Sequence, residues 1–459
     1  MYFSYFNSRY RIIPKWEGPD WYKTSTSLLI GPARWISITI GQDRIFDIRI
    51  LAAIYILIFL LGLWLILAGS RSLPTSLRVT VWGLLILIFT DVGYIAYFNS
   101  FYSEATALSF LAVGVGSSLP LLANRSSSVW LLIAYFLAIA VVVAAKPMYV
   151  PLAPAFGLFG LYLSGYARHS WRYWLSSGLA AALCLMAFWA YSQAPQSMRV
   201  DGAYIGVFMD LLPTSSIPEQ DLAELGLSPK YASFSGTTPY QPDSPLKKDP
   251  EFRKEFSTRV NSLTIPVFYL THPARLYQLS ERCMKHAFST RVQRLGYYES
   301  ASGKPPLSRP FGIWSTVREN LFPRSVLFLC FFLATGIAAT VLLVRASLPA
   351  LRGLYLLYLL FIYIAGAQFL VAIVGGGGEP DVEKHLFMFN IAFDACMILF
   401  VLWAAYMLKT RGRASRSRSA QPFLHASGTG SAPLERRAAS ASTRKRCLHS
   451  QYGVAGLGP

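Results

Sequence analysis

An all-α, polytopic transmembrane bundle is the fold class this sequence predicts, and three observations predict it. About nine apolar stretches are long enough to cross a bilayer. The composition is 54% hydrophobic and only 14% charged, so a soluble surface could not be covered at this chain length. Most of the charges that exist collect in the segments between the stretches. Backbone in hydrocarbon must satisfy its own hydrogen bonds, and a helix does so within one segment.

Taken in order, the spans are expected at 48–69, 77–95, 105–122, 129–145, 150–167, 173–194, 324–344, 353–374 and 386–408. Each has the roughly 20 residues that about 30 Å of hydrocarbon requires. Asp91 interrupts the second. The expected organisation is an extracytoplasmic amino-terminal segment (1–47), spans one to six (48–194), a large extracytoplasmic loop (195–323), spans seven to nine (324–408) and a basic cytoplasmic tail (409–459). Ser25–Gly41 is apolar but broken by Gly31, Pro32 and Arg34, and reads as an interfacial or re-entrant piece. The tail lacks apolar periodicity and is expected to be disordered.

Orientation follows from the bases. Arg71, Arg78, Arg125, Arg168, Arg172, Arg345 and Arg352 lie in short loops without acids, and helix counting puts those loops on the side of the Arg-rich tail. The positive-inside rule makes that side cytoplasmic, in an inner-membrane setting. The net charge of +19 therefore needs no nucleic acid to explain it. An odd number of spans leaves Met1 outside with no preceding exporting segment. The preferred expectation is that a first helix is missing. Of five cysteines only Cys283 falls in the long loop, so no disulfide framework is legible there.

The chemistry-bearing residues gather on the opposite side. Ionisable groups at the edge of spans cost about 2.5–3.5 kcal/mol each and so raise a functional question. The segment from Asp91 to Glu104 holds both carboxylates, Asn99 and the tyrosines 94, 97 and 102. These groups suit a sugar, a phosphate held through a cation, or a general base, and the aromatics also suit an interfacial belt. Lys146-Pro147-Met148-Tyr149 makes a tight turn between spans four and five, where Lys146 can neutralise a phosphate or snorkel and Tyr149 can lie against a lipid or sugar. In the long loop His272 and Arg275 follow a short apolar stretch, with Pro273 opening the next helix. Gly375–Gly378 precede Asp381, Glu383, Lys384 and His385, which cap the ninth span and can face a lipid phosphate. Asp394, deeper in that span, is expected to pair with another helix. No Walker loop, dinucleotide fingerprint, HExxH, CxxC or GxSxG occurs. Short cytoplasmic loops leave no room for a nucleotide-binding domain, so an activated substrate would come from the membrane itself.

This arrangement resembles the integral-membrane glycosyltransferases of the GT-C class. The likeness rests on an acid-bearing segment before a span (Glu17, Asp20, Asp43, Asp47), the Phe46–Ala52 run FDIRILA, the second acidic loop (Asp91, Glu104), the Lys-Pro-x-Tyr turn and the large loop before the last spans. It implies transfer of a sugar from a polyprenyl-phosphate donor to a glycan, lipid or protein acceptor. A carboxylate of the outer loops would be the catalytic base, with Asp91, Glu104 and Asp20 the candidates, and Asp91 or Glu104 could serve instead as a metal or sugar ligand. Tyr97, Asn99, Lys146, Tyr149, His272, Arg275, Asp381, Lys384 and His385 would be the substrate contacts. No cofactor is assigned; a divalent cation is the one left open. The alternatives are a surface-polysaccharide polymerase or ligase, and a non-catalytic transporter or flippase for a lipid-linked sugar.

Overall fold

The computed structural model describes residues 5–13, 23–41, 44–123, 128–165, 170–261, 263–290, 292, 295, 297–345, 352–375 and 382–419. A short ribbon opens the chain: β1 (Arg9–Arg11) pairs antiparallel with β2 (Ile45–Asp47), Tyr10 opposite Phe46. Between them lies α1 (Ser27–Gly41), the piece expected at an interface. It buries Ala33 and Ser37 and exposes Leu28, Trp35 and Ile38 on the other face, as suits a helix lying along a lipid surface, and Ile40 is exposed at its last turn.

The first membrane helices follow directly. α2 (Ile48–Gly69) starts where the Asp47 carboxylate accepts from the Arg49 amide, and stops just before Leu73-Pro74. The Arg49 guanidinium beside Asp47 holds that carboxyl below its usual range. α3 (Thr75–Phe89) and the short α4 (Val92–Ile95) share the second apolar stretch. α5 (Ser103–Leu122) sits against α2. A Cβ on Gly62 would come within 2.7 Å of Ala112, and one on Gly116 within 2.5 Å of Leu65. Small residues let these two backbones approach, the usual device where lipid removes any hydrophobic drive between helices. α6 (Val129–Val143), α7 (Ala153–Leu163) and α8 (Trp171–Ser192) complete this half. On α8 the side chains of Trp174, Leu185, Phe188 and Trp189 are exposed, as suits a lipid-facing periphery.

The long loop is helical. It holds α9 (Gln196–Ile205), a buried π-helical turn at Gly206–Leu211, α10 (Pro218–Glu224), α11 (Pro245–Lys248), α12 (Pro250–Arg259), α13 (Thr264–Thr271), α14 (Pro273–Met284) and α15 (Ile313–Leu321). Tyr204, Phe208, Phe252 and Phe256 stack into its core, with Tyr231 against Phe252 at 4.7 Å. Burial, then the Glu255 carboxylate that its hydroxyl donates to, pushes Tyr231 up to about 12. Leu263, Val267 and Leu270 remain exposed at α13, the apolar stretch before His272. The last helices are α16 (Val326–Arg345), α17 (Arg352–Val374), α18 (Val382–His385) and α19 (Phe387–Ser419).

The described residues of the nine expected stretches are mostly helical, but they do not make nine straight crossings. Among the described residues, five helices have the length and apolar character to cross a membrane, or up to seven if two bent pairs each count as one. The second span bends by 53° where Asp91 caps α4, and α15 turns by 107° into α16. Val129–Val143 and Pro147–Leu163 are shorter apolar helices parted by the Lys146-Pro147 turn. Residues 1–406 form one compact unit and 407–459 another. α19 runs on to Ser419, through Arg411–Arg418, where disorder was expected. Its 33 residues span roughly 50 Å at 1.5 Å each, more than hydrocarbon requires. Residues 420–459 lie outside the described residues, as do Glu17, Asp20, Asp43 and Asp381.

Candidate functional site

The loop-bearing end of the bundle brings three separate turns together. The first turn of α5 supplies Glu104, an acid at a helix amino terminus where the macrodipole favours its charge. The turn between α6 and α7 supplies Lys146, whose ammonium donates to Glu104 Oε1 at 2.8 Å and to the Lys384 carbonyl at 3.4 Å. The side chains are 2% and 15% exposed for Glu104 and Lys146, so this ion pair is sheltered and its partners depend on one another. α18 closes the group. His385 Nδ1 lies 2.9 Å from Met148 Sδ, and Gln368 of α17 donates to the Met148 carbonyl at 2.9 Å.

Four buried polar atoms belong to this cluster: Tyr97 Oη, Tyr149 Oη, Gln368 Oε1 and Glu383 Oε2. None has a hydrogen-bond partner among the described residues. The Glu104 carboxylate is near enough to act electrostatically on both tyrosines, and Glu383 acts on Tyr97 as well. The Tyr97 ring is held 4.6 Å from Phe387, which fixes its direction. Glu383 uses its other oxygen: Oε1 is 3.0 Å from His286 Nδ1, and because a carboxylate only accepts, the ring nitrogen donates. His286 is 45% exposed while Glu383 is 3% exposed, so the pair reaches from the interior to the surface. Burial, with the nearby Asp210 and Glu383 carboxylates, pushes the Cys283 thiol up and leaves it a poor nucleophile. Unpartnered hydroxyl, amide and carboxylate oxygens around an ion pair can receive a ligand rich in hydroxyls together with an anion.

A second polar cluster is complete in itself. Arg318 of α15 is fully buried and donates to Asp394 Oδ2 at 2.7 Å, to Asn390 Oδ1 at 2.6 Å and to Tyr94 Oη at 3.0 Å. Tyr94 and Trp314 also donate to Asp394, at 2.5 and 3.0 Å. The guanidinium carbon sits 5.7 and 5.6 Å from the ring centroids of Phe288 and Phe393. Asp394 does pair across helices, and its partner is a loop arginine that the sequence left unmarked among many others. On one side of this network lies an apolar cleft of about 150 Å³, lined by Phe59, Leu85, Phe89, Leu111, Phe361 and Ile391 among others.

The expected site residues divide accordingly. Glu104, Lys146, Tyr149, Tyr97, Lys384 and His385 come together. Asp91 does not join them: it is buried and its oxygens accept from the Gly93 and Ser315 amides at 2.8 and 3.0 Å, capping α4 and tying α15 to the broken span. Asn99 is exposed beyond the cluster. His272 pairs with Glu224 at 3.3 Å and Arg275 with Asp221 at 3.4 Å, both within the loop domain. Asp20 and Asp381 fall outside the described residues. His286, Gln368 and Glu383 were not among the expected site residues. Only Glu383 carried a signal, as a neighbour of Lys384 and His385. Among the described residues no group of three or more His, Cys, Asp or Glu is placed to hold a metal ion, so a divalent cation finds no ligand set there.

The family model described as the YfdI N-terminal transmembrane domain matches residues 1–421. No curated protein and no solved structure matches the chain.

Proposed function

Because the chain belongs to the YfdI N-terminal transmembrane domain family, and so is a multi-pass membrane protein, we propose that it is a glycosyltransferase acting at the membrane surface. It takes a sugar from a polyprenyl-phosphate carrier and passes it to a glycan, lipid or protein acceptor on the extracytoplasmic side. The observation that carries this reading is the sheltered Glu104–Lys146 pair among four unpartnered polar atoms at the loop-bearing end. Lys146 spends two of its three N–H groups on Glu104 and the Lys384 carbonyl, which leaves one for a phosphate oxygen. Lys384 and His385 belong to the same turn and add basic residues to this end of the site. Tyr97, Tyr149 and Gln368 suit sugar hydroxyls. The apolar cleft within the bundle suits a hydrocarbon chain, which equally favours the second reading, a transporter or flippase for the same lipid.

The test uses protein reconstituted in vesicles with a radiolabelled polyprenyl-phosphate hexose and membrane glycolipid acceptors. The expected result is hexose on the acceptor. Lys384→Ala is expected to raise the donor KM about tenfold, and Lys146→Met to abolish donor use, since a point charge opposite phosphate is lost in each. Movement of intact donor across the bilayer without transfer would replace the transferase reading with the transporter reading.

A further inference from the structure

Resting on the transferase reading, we infer that Glu383 is the general base of the transfer and that His286 is the residue that positions it. The usual place to seek the base is Glu104, the deepest acid of the cluster. Its Oε1, however, is 2.8 Å from the Lys146 ammonium, so that oxygen is already committed to a cation. Glu383 has the opposite arrangement. Oε1 is anchored by the His286 ring, whereas Oε2 is buried, meets no partner among the described residues, and shares its surroundings with the equally unpartnered Tyr97 hydroxyl. One oxygen held and the other unpaired is the geometry a base needs: the carboxylate cannot rotate away, and its second oxygen keeps its lone pairs for a proton. His286 follows α14 and Glu383 sits in α18, so the two elements must be docked for the base to be aimed.

In the step, an acceptor hydroxyl hydrogen-bonds to Oε2. Its oxygen forms the new bond to the anomeric carbon while its proton passes to Oε2. The bond between that carbon and the phosphate oxygen breaks, and its electron pair leaves on the carrier phosphate, whose charge Lys146 opposes. Glu383 then returns its proton to water. The charged and titratable groups around Glu383 are His286 and Cys283 from α14 and its following turn, Tyr97 from the broken second span, Glu104 with Lys146, and Lys384 and His385 on its own turn. Among the described residues, His286 is the one that hydrogen-bonds the carboxylate, at 3.0 Å, so its loss should be felt most.

The full-length protein in nanodiscs, with labelled polyprenyl-phosphate hexose, tests this. Glu383→Gln keeps size and should lower kcat by about a hundredfold or more, the scale of a removed base, while donor retention on the nanodisc stays at the parent level. His286→Ala removes a donor that favours the charged carboxylate, so the acidic limb of the pH–rate profile should move to higher pH. His286→Asn, which restores an N–H donor, should bring the limb back. A purely structural His286 would lower the amount of folded protein without moving the limb, and that result overturns its positioning role. Parent-level turnover in Glu383→Gln overturns the base assignment and leaves the transferase reading intact. A parent that retains the donor and transfers nothing overturns the transferase reading itself.

Discussion

Asp91 and Glu104 show how little a residue's type and position say about its task. Both are acids at the same end of the bundle, thirteen positions apart in one loop, and both are buried. Glu104 meets a lysine; Asp91 meets two backbone amides and is consumed in holding a helix start. Asp91→Ala is therefore expected to leave two buried N–H groups unpaired and to lower thermal stability by about 1–3 kcal/mol. Asp91→Asn keeps one accepting oxygen and should retain transfer per folded molecule within about twofold, whereas a removed base would cost about a hundredfold or more. Thermal melts in detergent and transfer assays on the two variants separate these cases. The sequence pointed to Lys146, Tyr149 and Lys384 because charge and aromatics at a span edge are costly and local. It did not point to Gln368, whose position inside an apolar span gave no hint that its amide meets the Met148 carbonyl.

Among the elements, α15 bears the most on how the bundle is closed. It is too short to span and is bent by 107° from α16, yet it carries a fully buried arginine. Arg318 reaches Asp394 and Asn390 on α19 and Tyr94 on the broken second span, so three apolar elements are tied by one polar side chain. Arg318→Ala should strand the Asp394 charge and lower stability by roughly 3–5 kcal/mol. Arg318→Met with Asp394→Leu removes both charges, and recovery of most of that loss in the double variant is the expected result. A double variant that adds the two single losses would show that the residues do not act as a pair. The break at Asp91 was legible, because an acid inside an apolar run must be satisfied somewhere. That the break docks α15 was not, since Ser315 lies 224 residues away and nothing local marks its amide.

At the scale of the whole molecule, the positive-inside rule leads us to propose an orientation from the charge outside the bundle. The proposed topology places the 195–323 region outside and the Arg-rich end of α19 inside. Reporter fusions after Met198 and after Ser419 are expected to report opposite compartments, and the same compartment for both would reverse the assignment of the site to the outer face. The sequence by itself determined that this is a mostly helical membrane protein and roughly where each long helix lies. Bilayer thickness and the need to satisfy backbone groups act on contiguous residues, so they leave a mark that needs no partner to be read. It also separated the polar end of the bundle from the basic one, for the same reason. Tertiary structure alone decided which polar groups meet. Whether an acid becomes half of an ion pair, a helix cap or an anchored base depends on a partner tens or hundreds of positions away. Glu383 was a helix-end acid in the chain and became a carboxylate with one oxygen held and the other directed inward only when the turn after α14 brought His286 against it.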